Sequence, residues 1–169
     1  MKKMTKFFAL ALLAGAMVSC STEDIAPSTQ NDKVAVQFTG GISVNTRAAG
    51  VAWAEGDMIG IFMTGTKQPL SADAIQEGVD NICYQTSGSI GFSPVSGGKT
   101  VFFPIDGDVD FYSYYPQTTF NDFKVALDVI DQTKQEAIDF MYAKTEGCNK
   151  ATPQVFLKFY HKLSNLVLD

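Results

Sequence analysis

Histidine is almost absent from this chain of 169 residues: His161 is the only one. A single imidazole rules out metal sites built on several histidines and leaves nucleophilic catalysis one candidate base. His161 shares the parity of Val155, Leu157, Phe159 and Leu163, so it is expected on an apolar face as a hydrogen-bonded core residue. Cysteine is scarce too, with three residues, no CxxC and no metal spacing. Cys83 and Cys148 are far apart, and a disulfide between them is open but unsupported. No apolar run is long enough for a permanent membrane span. Basic residues are outnumbered, and the net charge of −5 disfavours nucleic acid and anionic lipid surfaces as partners. Asp106, Asp108 and Asp110 have the spacing of a calcium loop, yet Phe111 and Gln117 stand where the loop needs glycine and a bidentate glutamate. They are read as a solvated turn. No metal, no cofactor and no enzymatic constellation is expected.

What is present begins at the amino terminus. Lys2, Lys3 and Lys6 precede the uncharged stretch Phe7 to Val18, the pattern of a secretory signal over residues 1–19. Met17-Val18-Ser19-Cys20 resembles a bacterial lipobox, with Cys20 as the acylated residue; the alternative is an ordinary signal peptide with a chance cysteine. Removing 19 of 169 residues leaves 150, enough for one globular domain. The three departing lysines take the charge from −5 to −8, so membrane attachment must come from lipid. Residues 20–33, with the acidic run Ser21-Thr22-Glu23-Asp24, read as a flexible tether.

Beyond the tether the grammar is that of strands. Val34, Val36 and Phe38 alternate with polar or small residues, and after Gly40-Gly41 the alternation resumes at Ile42 and Val44, a strand in two pieces. Met58 to Met63 is a short apolar run fit for a strand buried on both faces. One helical turn is expected at Ser71. Thr100 to Phe103, the Asp106-Gly107 turn and Val109 to Tyr115 read as a hairpin. Phe123, Val125, Leu127 and Val129 alternate, a strand is expected over 138–143, and a last one from Val155 to Leu163, with a slip of phase at Ser164-Asn165 before Leu166 and Leu168. An all-β sandwich follows. The pattern stops in mid-strand at Asp169, as expected of the front portion of a longer protein; a native terminal edge strand is the competing reading.

Two features invite function. Arg47 is the chain's only arginine, against twelve lysines. Its small, polar neighbours Asn45 to Gly50 form the kind of segment in which a protease cuts; a surface arginine with no role is the alternative. Phe111-Tyr112-Ser113-Tyr114-Tyr115 places Phe111 and Tyr115 on one face as core and Tyr112 and Tyr114 on the other, packing across strands. With Trp53, the latter two are candidates for stacking on sugar rings.

The ordered series Phe38-Thr39-Gly40, Thr46-Arg47-Ala48, Trp53 to Ile61, Phe111 to Pro116, Asp139 to Ala143 and Val155 to Ser164, behind Cys20, resembles the fimbrillin-like lipoproteins of Bacteroidota, subunits of type V pili. The resemblance implies a transthyretin-like Greek-key β-sandwich over residues 48–169, the amino-terminal one of two domains. It implies an outer-membrane, cell-surface precursor lipidated on Cys20 and matured by a trypsin-like, arginine-specific protease between Arg47 and Ala48. Loss of residues 34–47, a removable leading strand carrying Val34, Val36, Phe38, Ile42 and Val44, would open a groove for a strand of another pilus subunit. The subunit would be structural or adhesive, with host or bacterial surfaces as possible ligands. A surface-tethered glycan-binding module is the alternative function.

Overall fold

The structure, a computed structural model, describes residues 33–43, 52–119, 122–124 and 139–162. The chain divides into units of residues 1–30 and 31–169, and all that follows concerns the second.

Seven strands are described: β1 (Gln37–Ser43), β2 (Glu55–Gly65), β3 (Ile82–Ser87), β4 (Gly91–Pro94), β5 (Val109–Tyr115), β6 (Met141–Cys148) and β7 (Gln154–His161), with one 3-10 turn, Ala72–Ala74, after Ser71. The architecture is all-β. Hydrogen bonding joins the strands into a closed ring in the order β1-β4-β3-β2-β5-β6-β7, in place of two separate sheets. Every pairing is antiparallel except the one that closes the ring, where β1 runs parallel to β7 from Gln37 opposite Gln154 to Ser43 opposite Tyr160.

Side-chain alternation divides each strand between two environments. Inward-facing Phe38, Ile59, Ile61, Met63, Tyr84, Phe111, Val155, Leu157 and Phe159 make one core inside the ring. A second cluster, Phe62, Tyr112 and Tyr114, lies on the opposite face of β2 and β5, under Leu70, Ile75, Phe123, Phe140 and Tyr142. Met58, the expected first member of the apolar run, is 41% exposed, whereas over 59–63 the run is buried on both faces. Gly60 makes this possible, because a Cβ there would sit 2.1 Å from the Tyr114 ring and 2.5 Å from Asn81 Oδ1.

The structure corrects several expectations. Residues 100–103 do not form a hairpin with β5. They pair instead with the leading segment: the Val36 N–H donates to the Val101 carbonyl at 3.0 Å, the Phe103 N–H donates to the Val34 carbonyl at 2.9 Å, and Ala35 bridges Phe102 antiparallel. Gly40-Gly41 does not break the leading strand, which is continuous over 37–43. β3 and β4, a hairpin around Gly88 and Ser89, were not expected. Asp110 is not solvated. It is fully buried and accepts hydrogen bonds from Thr66 Oγ1 (3.0 Å), the Lys67 N–H (2.9 Å) and the Gly147 N–H (2.9 Å), tying the ends of β2, β5 and β6 together. The alternation at Val125 to Val129 and the phase slip at Ser164 fall outside the described residues.

Candidate functional site

The leading segment is held along both edges. Toward β4, Phe38 pairs with Phe92 and Thr39 with Gly91, and the Gly40 N–H donates to the Ile90 carbonyl at 2.7 Å. Toward β7, the parallel register covers seven residue pairs, and the Gln37 N–H donates to the Pro153 carbonyl at 2.9 Å. With the contacts of 34–36 to 101–103, a continuous stretch of about ten residues is seated in a slot between two walls.

The floor of the slot is the core. Val36 and Phe38 are 5% and 2% exposed, and Val34 and Ile42 pack beside them. The Phe38 ring meets Tyr84 and Phe111 edge to face, with centroids 5.2 and 5.1 Å apart. The Tyr84 hydroxyl in turn accepts the Val101 N–H at 2.8 Å, and burial pushes its pKa up. Four apolar side chains thus enter the core from the leading segment; the two buried ones, Val36 and Phe38, are each worth about 1.5–3 kcal/mol by area removed from water, and the half-buried Val34 and Ile42 less. Val44, the fifth expected member, lies outside the described residues, as do Cys20, Arg47 and Ala48.

Trp53 is not a surface platform. Its indole N–H donates to the Gly40 carbonyl at 2.9 Å, and its ring packs edge-on against Phe92, Phe159 and Tyr115. The stacking reading of Tyr112 and Tyr114 is corrected likewise. Tyr112 is 7% exposed and its hydroxyl donates to the Gln68 carbonyl, while Tyr114 is 2% exposed with its hydroxyl 2.7 Å from both Asn81 Oδ1 and the Thr118 carbonyl. Their parity and their packing across strands onto Tyr142 of β6 were foreseeable, whereas the rest of their cover, Leu70, Ile75, Phe123 and Phe140, was not, because it comes from residues outside the strands with no periodicity. No face of the three rings is open to a sugar.

The remaining candidates are structural. His161 Nδ1 lies 2.6 Å from Asp139 Oδ1, with the histidine side chain 7% exposed. Cys83 and Cys148 are both free thiols. Burial, followed by the charges of Asp110 and Asp108, pushes Cys148 up to about 11, the opposite of what a reactive thiol requires. Sequence reasoning missed Phe92 and Gly40, which complete the slot. Gly40 sits on the inward parity of Phe38 and Ile42, the one signal that could have marked it as a fitted position.

Comparison with known proteins agrees with this architecture. The fimbrillin-like family model matches residues 46–169. The chain is 39% identical over 164 residues to "Putative fimbrium subunit Fim1C" of Bacteroides uniformis, covering 92% of this chain and 52% of that protein. Among solved structures, a "putative cell adhesion protein" of Bacteroides uniformis superposes with a TM-score of 0.60 at 39% identity, over 77% of this chain and 49% of the other. A second protein so described, from Bacteroides ovatus, gives 0.55 at 27% identity, over 77% and 53%. The chain spans about half the length of these relatives. With a matching family model over most of its length and a 39% identical relative, the chain belongs to the fimbrillin-like family.

Proposed function

We propose that this chain is the amino-terminal part of a fimbrial subunit with a structural or adhesive, non-catalytic role at the cell surface. In this reading Cys20 carries the lipid that holds the precursor at the outer membrane, and an arginine-specific, trypsin-like protease cuts between Arg47 and Ala48. The leading strand then leaves, and an extended segment of a neighbouring subunit takes its place. The relatives' descriptions as a fimbrium subunit and as cell adhesion proteins support the role.

The observation that carries the exchange is the way β1 is held. With the preceding Val36 it is held in the core, Val36 and Phe38 being buried and both edges of β1 hydrogen-bonded. Yet the chain's only arginine follows its last residue, Ser43, by four positions. One cut there makes every remaining contact of β1 non-covalent. The slot that remains offers main-chain donors and acceptors to set register and an apolar floor to supply affinity.

The test is limited digestion of the folded precursor with an arginine-specific protease, followed by mass and oligomer size. A single cut at Arg47, a body that stays folded and a leading segment that is displaced on assembly are expected. A chain that resists cutting, or a body that collapses on cutting, refutes the maturation step.

A further inference from the structure

The slot is selective about what fills it. The inward positions of the leading segment are Val34, Val36, Phe38, Gly40 and Ile42, and at the fourth the space closes. A Cβ at Gly40 would lie 2.9 Å from Phe92 Cε2 and 3.2 Å from Phe159 Cε2, with the Leu157 carbonyl oxygen at 3.4 Å. Both rings are buried. Neither can swing aside freely, because Trp53 packs edge-on against each at a centroid distance of 5.1 Å. Trp53 is itself pinned by the hydrogen bond from its indole N–H to the Gly40 carbonyl. Gly41 is a different case. Its nearest neighbour is Phe156 Cζ at 3.0 Å, the end of a ring that is 53% exposed and free to move into solvent.

We infer that Trp53, Phe92 and Phe159 act as a gauge that admits only a strand with glycine at the register of Gly40. The inference rests on the exchange reading above and names the partner it requires. That partner is an extended segment running parallel to β7, with large apolar side chains four and two places before a glycine and another two places after it. The carbonyl of that glycine accepts the Trp53 indole N–H. A strand of the same hydrophobicity with valine or leucine at this position is excluded by overpacking against buried rings.

Trp53 is the chain's only tryptophan, so its fluorescence reports directly on what occupies the slot. The full chain is cut after Arg47, the leading segment is removed, and synthetic peptides of the sequence Lys33 to Val44 are added. The parent peptide is expected to bind and shift Trp53 emission. The peptide carrying Gly40→Ala should bind roughly tenfold more weakly and Gly40→Val roughly a hundredfold, whereas Gly41→Ala should stay within about threefold. A body carrying Phe92→Ala should recover most of the Gly40→Val loss. Equal affinity for the parent and Gly40→Val peptides overturns the gauge and leaves strand exchange standing; failure of the parent peptide itself overturns both. The uncut chain supplies an independent reading of the gauge. There Gly40→Val should lower the urea midpoint and Phe92→Ala should partly restore it, while Gly41→Val should not. If Gly40→Val and Gly41→Val behave alike, the gauge is refuted.

Discussion

β1 and β2 both contribute buried strands to the same core, yet they are held by different means. β2 is covered on both faces, by Ile59, Ile61 and Met63 inside the ring and by Phe62 in the outer aromatic cluster. Its carboxy-terminal end is locked through Asp110 and through the backbone bonds of Met63 to Val79 and Gln76. β1 is covered on one face only, with Thr39, Gly41 and Ser43 half-buried on the other. Its link to β4 is two residue pairs long, against six between β2 and β5. The comparison teaches that burial alone does not decide whether a strand is permanent. A second covered face and ties to Asp110 and the 76–79 backbone make β2 part of the body, whereas β1 relies on an apolar floor, main-chain bonds and the Trp53 indole donor on the Gly40 carbonyl, all of which another backbone can reproduce.

The sharpest test removes one anchor from each region. Phe62→Ala and Phe38→Ala should each destabilise the uncut chain by about 3–5 kcal/mol in urea unfolding. After cleavage at Arg47 and loss of the leading segment, Phe62→Ala should still destabilise the body and Phe38→Ala should have no effect. Equal effects before and after would mean that β1 is as permanent as β2. Next in size, Gly60→Ala should cost about 3 kcal/mol by driving a methyl into Tyr114 and Asn81, visible as a lowered urea midpoint.

Asp110→Asn, which turns an acceptor of three hydrogen bonds into a group that must direct an amide at some of the same donors, should cost about 2 kcal/mol. Amide exchange should rise at Lys67 and Gly147 before it rises in β1. The smallest effect concerns Cys148, at the end of β6. Its folded pKa lies above the ordinary value of 9.0, at about 11, so as pH rises the unfolded chain loses the thiol proton first. Stability is full below about pH 9 and declines toward pH 11. Cys148→Ala should flatten that decline in pH-dependent unfolding, and an unchanged slope would remove the assignment.

Much of the body was legible because local pattern and tertiary role coincide there. The 59–63 run and the alternation of Val155, Leu157 and Phe159 reflect two-faced and one-faced burial directly. Two of the errors share one physical cause, which is pairing with a partner distant in sequence. Phe102 and Phe103 sit beside a tempting Asp106-Gly107 turn, but their mates are Ala35 and Val34, and turn chemistry says nothing about those. Asp110 looked solvated beside that turn because its position opposite buried Thr64 is a matter of cross-strand register. β3 and β4 were hidden by their serines and glycines, although Ile82, Tyr84 and Thr86 do alternate with Cys83 and Gln85. At the candidate site, the inward parity of Val34, Val36 and Phe38 was readable; the glycine that completes it looked like a break until Phe92 and Phe159 were seen above it.

The parallel pairing of β1 with β7 has one more consequence. A sheet that closes on itself presents no bare rim of backbone to another molecule. Among the described strands that rim is hidden solely because β1 fills the gap between β4 and β7. Under the proposed exchange, the uncut chain would be latent toward its own kind, and hydrolysis of one peptide bond followed by departure of β1 would leave two sticky borders with a hollow between them. In that reading the closure sets the timing of assembly rather than its affinity.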